Sequence, residues 1–170
     1  SGLKIKSPYG RIIASPAVSP GVIVQCSGNP GGGGLGLVIA LQAGNRGDVT
    51  TSARLWRLDR TTPDASTPVC YENQVYLVRA NGITLCLDLK TGRKHWEERL
   101  AQGEYYSAPV AGDGKVYAIG TTGICTVMKH GEEFIKLAEN KLPGKFYATP
   151  AISDGLIYFR SEDRLYGVGR

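Results

Sequence analysis

The chain has 170 residues, of which 42% are hydrophobic and 21% are charged, a balance typical of a folded globular protein and too apolar for a disordered one. Its net charge of +5 comes from basic and acidic residues scattered along the whole sequence, and without a clustered basic stripe we expect no nucleic-acid partner. The longest apolar stretch, 35–41, is far shorter than the roughly 20 residues that span a bilayer, so we expect no membrane span.

The first predicted element is the segment Leu3 to Lys6, where apolar and basic residues alternate as on an isolated strand. It lies before the first repeat unit, at the place where the fourth strand of a preceding unit would be. The residues around it contain no apolar signal-peptide core. We therefore expect an export signal to have been removed or never to have been present.

A small residue followed by proline recurs along the rest of the chain at intervals of 52, 41 and 41 residues. The four pairs are Ser15-Pro16, Thr67-Pro68, Ala108-Pro109 and Thr149-Pro150. Five residues after each proline comes a residue typical of two-residue hairpin turns: Gly21, Asn73, Gly114 and Gly155. Self-similarity at a nearly fixed period indicates a repeat architecture.

Three further strand-forming segments follow in each of the first three repeats, and two follow in the last. The second strands contain Ile23-Val24, Val75-Tyr76, Val116-Tyr117 and Ile157-Tyr158. The third strands are Leu37 to Leu41, Ile83 to Leu87, Ile124 to Met128 and Leu165 to Val168. The fourth strands are Arg54 to Leu58, His95 to Leu100 and Glu133 to Leu137, and the last unit has none.

Units of about 41 residues with four short strands and no helical periodicity are typical of β-propeller blades. We predict an all-β fold, a β-propeller of four-stranded antiparallel blades with about four blade-equivalents, forming one domain or half of a propeller. The predicted blades are 11–60, 61–102, 103–143 and 144–170, with strand 3–6 completing a blade. A β-sandwich would not explain the constant offset between equivalent turns and strands.

The second unit contains a regular motif, in which Asp88 and Thr91-Gly92 are followed by Trp96. The polar residues predict a turn between the third and fourth strands, and Trp96 predicts a ring packed between blades. The first unit keeps Trp56 at this position, and the third places Phe134 near it. The motif resembles the repeat Ala-x-Asp-x-x-Thr-Gly-x-x-x-Trp of PQQ-like (quinoprotein alcohol dehydrogenase-like) propellers, and the resemblance extends over about 12–169.

That family contains both pyrroloquinoline-quinone dehydrogenases and scaffolds of the BamB type, which serve outer-membrane barrel assembly. The resemblance implies that a dehydrogenase would need a catalytic Asp, a calcium held by Glu and Asn, a Trp under the quinone and often two adjacent cysteines. Here both tryptophans occupy the blade-packing position, and no two cysteines are adjacent. We therefore predict a non-catalytic binding or assembly scaffold without cofactor, metal or catalytic residues, periplasmic or exported by resemblance alone. The alternative is part of a PQQ- or sugar-linked dehydrogenase whose cofactor residues lie on a missing segment.

Other sequence patterns that could indicate chemistry have simpler interpretations. The glycine-rich segment 31–36 matches a dinucleotide-binding pattern but is followed by a predicted strand instead of the required helix. Adjacent acidic residues at 97–98 and 132–133 point to opposite faces of a strand. His95 precedes a packing tryptophan and His130 sits in a turn. The cysteines, at 26, 70, 86 and 125, lack metal-ligand spacing, and we favour buried thiols over a disulfide pair.

An aromatic pair precedes each of the last two units, Tyr105-Tyr106 and Phe146-Tyr147. We expect one ring of each pair to pack between blades and the other to line the face of the propeller, where tyrosine offers a large contact area at low entropic cost. Charged and polar residues are predicted at the connections on the same face. The candidate interaction face for a protein or peptide partner is Tyr105, Tyr106, Phe146, Tyr147, Arg79, Asn81, Arg160 and Arg164.

The strand count leaves a vacancy in the last blade, which the segment 3–6 can fill. Within one chain this pairing would give a four-bladed ring, and between two chains it would give an eight-bladed ring with twofold symmetry. We favour the homodimer through strand exchange, because a four-bladed ring would turn each blade roughly twice as far from its neighbour as in larger rings. The remaining alternative is that the other blades belong to a longer chain.

Overall fold

The computed structural model of the protein describes residues 12–28, 35–60 and 62–169. These residues form fifteen β-strands and no helix. The strands form four antiparallel sheets, three with four strands and one with three, and in each sheet the strands lie side by side in chain order. The predicted all-β propeller with four blade-equivalents is confirmed.

The strand bounds repeat from blade to blade. The first blade consists of β1 (Ala17–Ser19), β2 (Val22–Gly28), β3 (Leu35–Gln42) and β4 (Arg54–Arg60). The second consists of β5 (Val69–Tyr71), β6 (Gln74–Val78), β7 (Ile83–Asp88) and β8 (Lys94–Arg99). The third consists of β9 (Val110–Gly112), β10 (Lys115–Ile119), β11 (Ile124–Lys129) and β12 (Lys136–Lys141). The fourth consists of β13 (Ala151–Ser153), β14 (Leu156–Arg160) and β15 (Leu165–Gly169).

The predicted hairpin turns between the first two strands of each blade are confirmed. Each turn has two residues, and Glu72, Asp113 and Asp154 begin the last three of them with φ of 52°, 52° and 51°. Left-handed backbone at these positions matches the right-handed twist of the flanking strands. The glycines that follow Asp113 and Asp154 also have positive φ.

Consecutive blades meet through their short first strands and through apolar clusters. β1 contacts β5, β5 contacts β9 and β9 contacts β13, so these strands lie nearest the central axis and the fourth strands form the outer rim. Successive side chains of a strand face opposite neighbours. In β6, Val75 and Leu77 pack toward the first blade, whereas Tyr76 and Val78 pack toward the third.

Both tryptophans pack between blades, as predicted. Trp96 lies in the cluster between the second and third blades, and its indole Nε1 donates a hydrogen bond to the carbonyl of Gly131 at 3.2 Å. Trp56 lies one junction earlier and donates to the carbonyl of Leu89 at 2.9 Å. Phe134 covers the Trp96 ring from the third blade, with the ring centroids 5.1 Å apart.

The prediction for the fourth strand of the third blade is wrong in position. Residues 133–137 are predicted there, but β12 begins at Lys136. The turn before it is longer than expected, because the N–H of Lys129 bonds to the carbonyl of Ile135 at 2.9 Å and closes a wide loop. In the second blade Trp96 pairs with Cys86. The residue that matches Cys86 in the third blade is Val127, and it pairs with Ala138. The position equivalent to Trp96 is therefore Ala138 and not Phe134.

The fourth blade departs from the others at the turn between its second and third strands. In the second blade this turn is closed by the pair Val78 and Thr84. In the fourth blade it is closed by Arg160 and Leu165, and it is one residue shorter. This turn lacks the glycine that the others carry and has Arg164 instead. As a result Tyr166 faces the third blade together with Phe159, and Leu165 faces away from it.

Two predicted elements, the strand 3–6 and most of the glycine-rich segment 31–36, lie outside the described residues. Within the ranges that are described, no helix has the length and apolar character needed to cross a membrane.

Candidate interaction face

One face of the propeller carries both the connections between blades and the turns between second and third strands, and we call it the connection face. Backbone hydrogen bonds join these segments in a repeating pattern. Tyr105 N–H donates to the carbonyl of Ala80 at 2.9 Å, and 41 residues later Phe146 N–H donates to the carbonyl of Thr121 at 3.2 Å. Each connection is therefore held against the turn of the preceding blade.

The two aromatic pairs divide between the interior and the surface. Tyr105 and Phe146 are buried between blades, and the Tyr105 hydroxyl donates to the carbonyl of Ala101 at 2.9 Å. Tyr106 and Tyr147 are 40% and 50% exposed. Their rings stack on one another across the junction of the third and fourth blades, with centroids 6.2 Å apart and an angle of 27° between planes.

A pocket of about 300 Å³ opens beside this ring pair on the fourth blade. It is lined by Lys145, Tyr147, Ala148, Arg160, Ser161 and Glu162. The hydroxyl of Ser161 accepts the N–H of Arg164 at 2.9 Å and donates to the carboxylate of Asp163 at 2.9 Å. These bonds hold the turn 161–164 in shape, so the wall of the pocket is ordered by local contacts.

The charges flanking the two exposed rings have opposite signs. Glu104, and to a smaller extent Asp64, raise the pKa of the Tyr106 hydroxyl by disfavouring its anion. Tyr147, by contrast, shares its pocket with Lys145 and Arg160. The connection face thus presents an aromatic platform that is acidic at one end and predominantly basic at the other.

The other residues of the predicted face lie in the same turns. Asn81 is exposed, its side-chain oxygen accepts the N–H of Ile83 at 3.2 Å, and its carbonyl accepts a bond from Arg99 at 2.8 Å. Arg79 is half-buried at the start of that turn. Arg164 is exposed and lies 3.5 Å from the carboxylate of Asp163. The structure therefore brings Tyr106, Tyr147 and the charged turns to one face, while Tyr105 and Phe146 lie beneath it.

A polar network lies on the opposite face, between the second and third blades. The hydroxyl of Tyr76 accepts the N–H of Gly131 at 3.1 Å and lies 2.8 Å from Nδ1 of His130. Nε2 of the same ring lies 3.1 Å from the carboxylate of Glu72. The sequence gives no local signal for this network, because each of these contacts joins residues more than 50 positions apart.

The groups considered for catalysis are buried or lie against neighbouring side chains. Burial raises the pKa of Cys86 and of Cys125 to about 12, and that of Cys70 to about 11, so these thiols stay protonated and weakly nucleophilic near neutral pH. All four cysteines are free thiols. The side chain of His95 is buried, and its Nδ1 lies 3.4 Å from the carboxylate of Glu132. In the described part of the chain, no three His, Cys, Asp or Glu side chains are grouped as a metal site would require.

A cavity of about 170 Å³ lies between the third and fourth blades, bordered by apolar side chains on both. Its lining is Tyr117, Cys125, Val127, Asn140, Leu142, Ile157, Phe159 and Val168. Ala138, paired with Val127, stands there in place of a tryptophan.

Comparisons with known proteins agree with this architecture. The sequence profile of a family described as outer membrane protein assembly factor BamB matches residues 10–170. The crystal structure of BamB from Moraxella catarrhalis superposes with a TM-score of 0.72 at 20% identity, covering 94% of this chain and 48% of BamB. This chain therefore spans about half the length of that protein. No curated protein sequence matches the chain significantly.

Two further structures share the fold at low identity. The computationally designed protein Ika4 superposes with a TM-score of 0.72 at 14% identity, covering 99% of this chain and 96% of Ika4. A europium-containing methanol dehydrogenase superposes with a TM-score of 0.57 at 17% identity, covering 79% of this chain and 26% of the enzyme. At such identities the likeness concerns the fold alone.

Proposed function

Because the chain belongs to the family of the outer membrane protein assembly factor BamB, a family of PQQ-like propellers, we propose that it is a non-catalytic scaffold for outer membrane protein assembly. Its partner would be a protein or peptide that binds at the connection face. The family description favours a periplasmic or exported location, which fractionation of the producing cell would test.

The observation that carries this proposal is the exposed, stacked pair of Tyr106 and Tyr147. Aromatic side chains are enriched at the energetic centres of protein interfaces, and tyrosine combines a large apolar face with a hydroxyl that forms hydrogen bonds. Because each ring restrains the other, little conformational freedom is lost when a partner binds. The opposite charges at the two ends of the platform would orient an extended segment that itself carries charges.

A peptide titration tests the interaction face. A fluorescently labelled peptide from an aromatic-rich strand of an outer-membrane β-barrel protein should bind the wild type, and replacing Tyr106 and Tyr147 together with alanine should weaken binding at least tenfold. Leu137→Ala is the matched control, since Leu137 is 48% exposed on the outer strand β12, away from this face. Equal binding by the double variant would exclude these rings, and no binding by the wild type would contradict the assembly role.

The dehydrogenase alternative is tested by reconstitution. The likeness to a methanol dehydrogenase gives this alternative its structural basis. Under the scaffold proposal, addition of pyrroloquinoline quinone and calcium produces neither bound quinone nor dye-linked oxidation of alcohols or sugars. Turnover well above a protein-free blank would overturn the scaffold proposal.

The four blades form an arc, and we propose that further blades complete a ring. These further blades belong either to a second copy of the chain, which gives a twofold homodimer, or to the rest of a longer chain. The segment 3–6 would add the fourth strand to β15 and remove an exposed sheet edge that would otherwise invite aggregation. Ile5→Pro, which removes an N–H from that strand, should then weaken the assembly.

A further inference from the structure

Three consecutive blades place equivalent side chains side by side on the connection face. Ala65, Tyr106 and Tyr147 each stand two residues before the small residue of the repeat pair, on the second, third and fourth blades. Tyr106 and Tyr147 stack on one another. By the same repeat, Ala65 lies on the other side of the Tyr106 ring. An alanine stands there in place of a third ring, and we call the gap between Ala65 and the Tyr106 ring the ring slot.

A side-chain hydrogen bond holds the two connections together beside the ring slot. The hydroxyl of Ser66 donates to the carbonyl of Ser107 at 3.1 Å, and both residues are buried. Ser66 directly follows Ala65, and Ser107 directly follows Tyr106, so this bond keeps the alanine next to the ring. Tyr106 is 40% exposed. The ring slot is therefore an ordered surface that opens at an inner junction of the propeller.

Two carboxylates flank the ring slot. Asp64 directly precedes Ala65, and Glu104 lies two residues before Tyr106. The charges of Glu104, and to a smaller extent of Asp64, raise the pKa of the Tyr106 hydroxyl, so both carboxylates lie near this ring. Neither takes part in the ion pairs formed within the described residues. The backbone of Asp64 packs so closely on Gly28 that a side chain at Gly28 would collide with it.

The chemistry of the ring slot favours a guanidinium group. A cation over the face of an aromatic ring is attracted by the π electrons of the ring. The planar guanidinium of arginine also stacks on the ring and donates several N–H bonds to carboxylates, whereas the lysine ammonium is a compact point charge. We propose that the ring slot binds an arginine side chain of the protein partner, stacked on Tyr106 and paired with Glu104 and Asp64. This inference rests on the proposed function and names the partner group at the acidic end of the platform.

An arginine in the ring slot leaves the rest of the platform open to the same partner. It covers the face of Tyr106 that is turned away from Tyr147, so the exposed edges of both rings stay available to an apolar or aromatic side chain. Lys145 and Arg160 lie beyond Tyr147 and favour an acidic residue there. The partner is thus an extended segment with an arginine at one end of the contact and a carboxylate at the other.

Titration with a small probe tests the ring slot directly. Nα-acetyl-arginine amide, added to the whole chain, should shift the NMR ring signals of Tyr106 in a saturable way, whereas the neutral isostere Nα-acetyl-citrulline amide should not. Asp64→Asn combined with Glu104→Gln should weaken arginine binding about tenfold, because two surface ion pairs are lost. The matched control is Glu98→Gln, which removes an exposed carboxylate from the outer strand β8 and should bind arginine as the wild type does.

Filling the ring slot provides a second test. Ala65→Tyr supplies the third ring and should abolish the response to the arginine probe. The circular dichroism of the fold should not change, because Ala65 is only half-buried. Ala65→Ser keeps the gap open and should respond like the wild type. An equal response to citrulline, or an undiminished response in either Ala65→Tyr or the carboxylate double variant, overturns the inference.

The peptide that tests the proposed function separates its failure from the failure of this inference. An arginine introduced at successive positions of that peptide should, at one position, tighten binding about tenfold relative to citrulline at the same position. Peptides that bind equally with either residue would overturn the arginine inference and leave the scaffold proposal standing. Binding of the arginine probe without binding of any peptide would support the ring slot and contradict the assembly role.

Discussion

The junction between the second and third blades and the junction between the third and fourth share backbone contacts but differ in side-chain packing. Both keep the bond from an aromatic connection to the turn of the preceding blade. The former is filled at the rim by Trp96 and Phe134, whereas the latter has Ala138 and a cavity of about 170 Å³. We infer that the repeated backbone hydrogen bonds set the arrangement of neighbouring blades, while the large side chains determine how stable each junction is.

The largest expected effect is the loss of Trp96. Trp96→Ala should lower the free energy of unfolding by about 3–5 kcal/mol, because a large side chain is removed from a packed junction and a cavity remains. Chemical denaturation measures this change. Leu137→Ala, on an exposed position of β12, should change stability by less than about 0.5 kcal/mol. Equal stability of the Trp96 variant and the wild type would show that the junction does not depend on this ring.

The hydroxyl of Tyr76 provides a smaller test of the same junction. Tyr76→Phe removes the partner of Gly131 N–H and of His130 Nδ1, and we expect a loss of about 1–2 kcal/mol in unfolding free energy. Tyr117 matches Tyr76 in the third blade and is partly exposed. Tyr117→Phe should therefore lower the free energy of unfolding by less than about 0.5 kcal/mol. A similar loss in both variants would show that the hydrogen bonds of the Tyr76 hydroxyl do not stabilise its junction.

The buried thiols should make stability depend on pH equally at the two junctions. Burial raises the pKa of Cys86 and Cys125 from 9.0 to about 12, so their contribution is fully present below pH 9 and is lost as pH rises toward 12. Between pH 9 and 10 each thiol should remove at most about 1 kcal/mol. Urea denaturation of Cys86→Ala and Cys125→Ala at both pH values should show a shallower decrease than the wild type.

The smallest expected effect is a gain. Ala138→Trp should fill the rim between the third and fourth blades and stabilise the chain by about 0.5–1 kcal/mol. The control Leu137→Trp places the same ring on the neighbouring position, which is 48% exposed and lies outside the paired register of β11 and β12, and should give no gain. If both variants unfold at the same temperature as the wild type, filling this cavity does not stabilise the junction.

The comparison of junctions also explains which features the sequence was able to predict. The hairpin turns follow from Asp113-Gly114 and Asp154-Gly155, whose local conformation determines the turn type. The start of β12 was not predictable, because the loop before it is closed by a single backbone bond between Lys129 and Ile135. No sequence motif identifies that loop. Because β12 starts later than predicted, the position equivalent to Trp96 is Ala138 and not Phe134.

The aromatic pairs show the same limit at the candidate site. Sequence alone indicated that one ring of each pair is buried and the other is exposed, since neighbouring residues of extended chain point in opposite directions. It did not indicate that Tyr106 and Tyr147, which are 41 residues apart, stack on each other. That contact depends on the angle between two blades, which is set by the packing of both sheets.

By itself the sequence determined the blade count, the turn positions and the strands of most blades, because each depends on residues close together in the chain and recurs with the repeat. Only the tertiary structure decided which junction is tightly packed, where the pocket beside Tyr147 opens and how His130 bonds to Tyr76 across 54 residues. These features arise where two blades meet. Residues from different repeats must be brought together by folding before such contacts exist, so no local pattern specifies them.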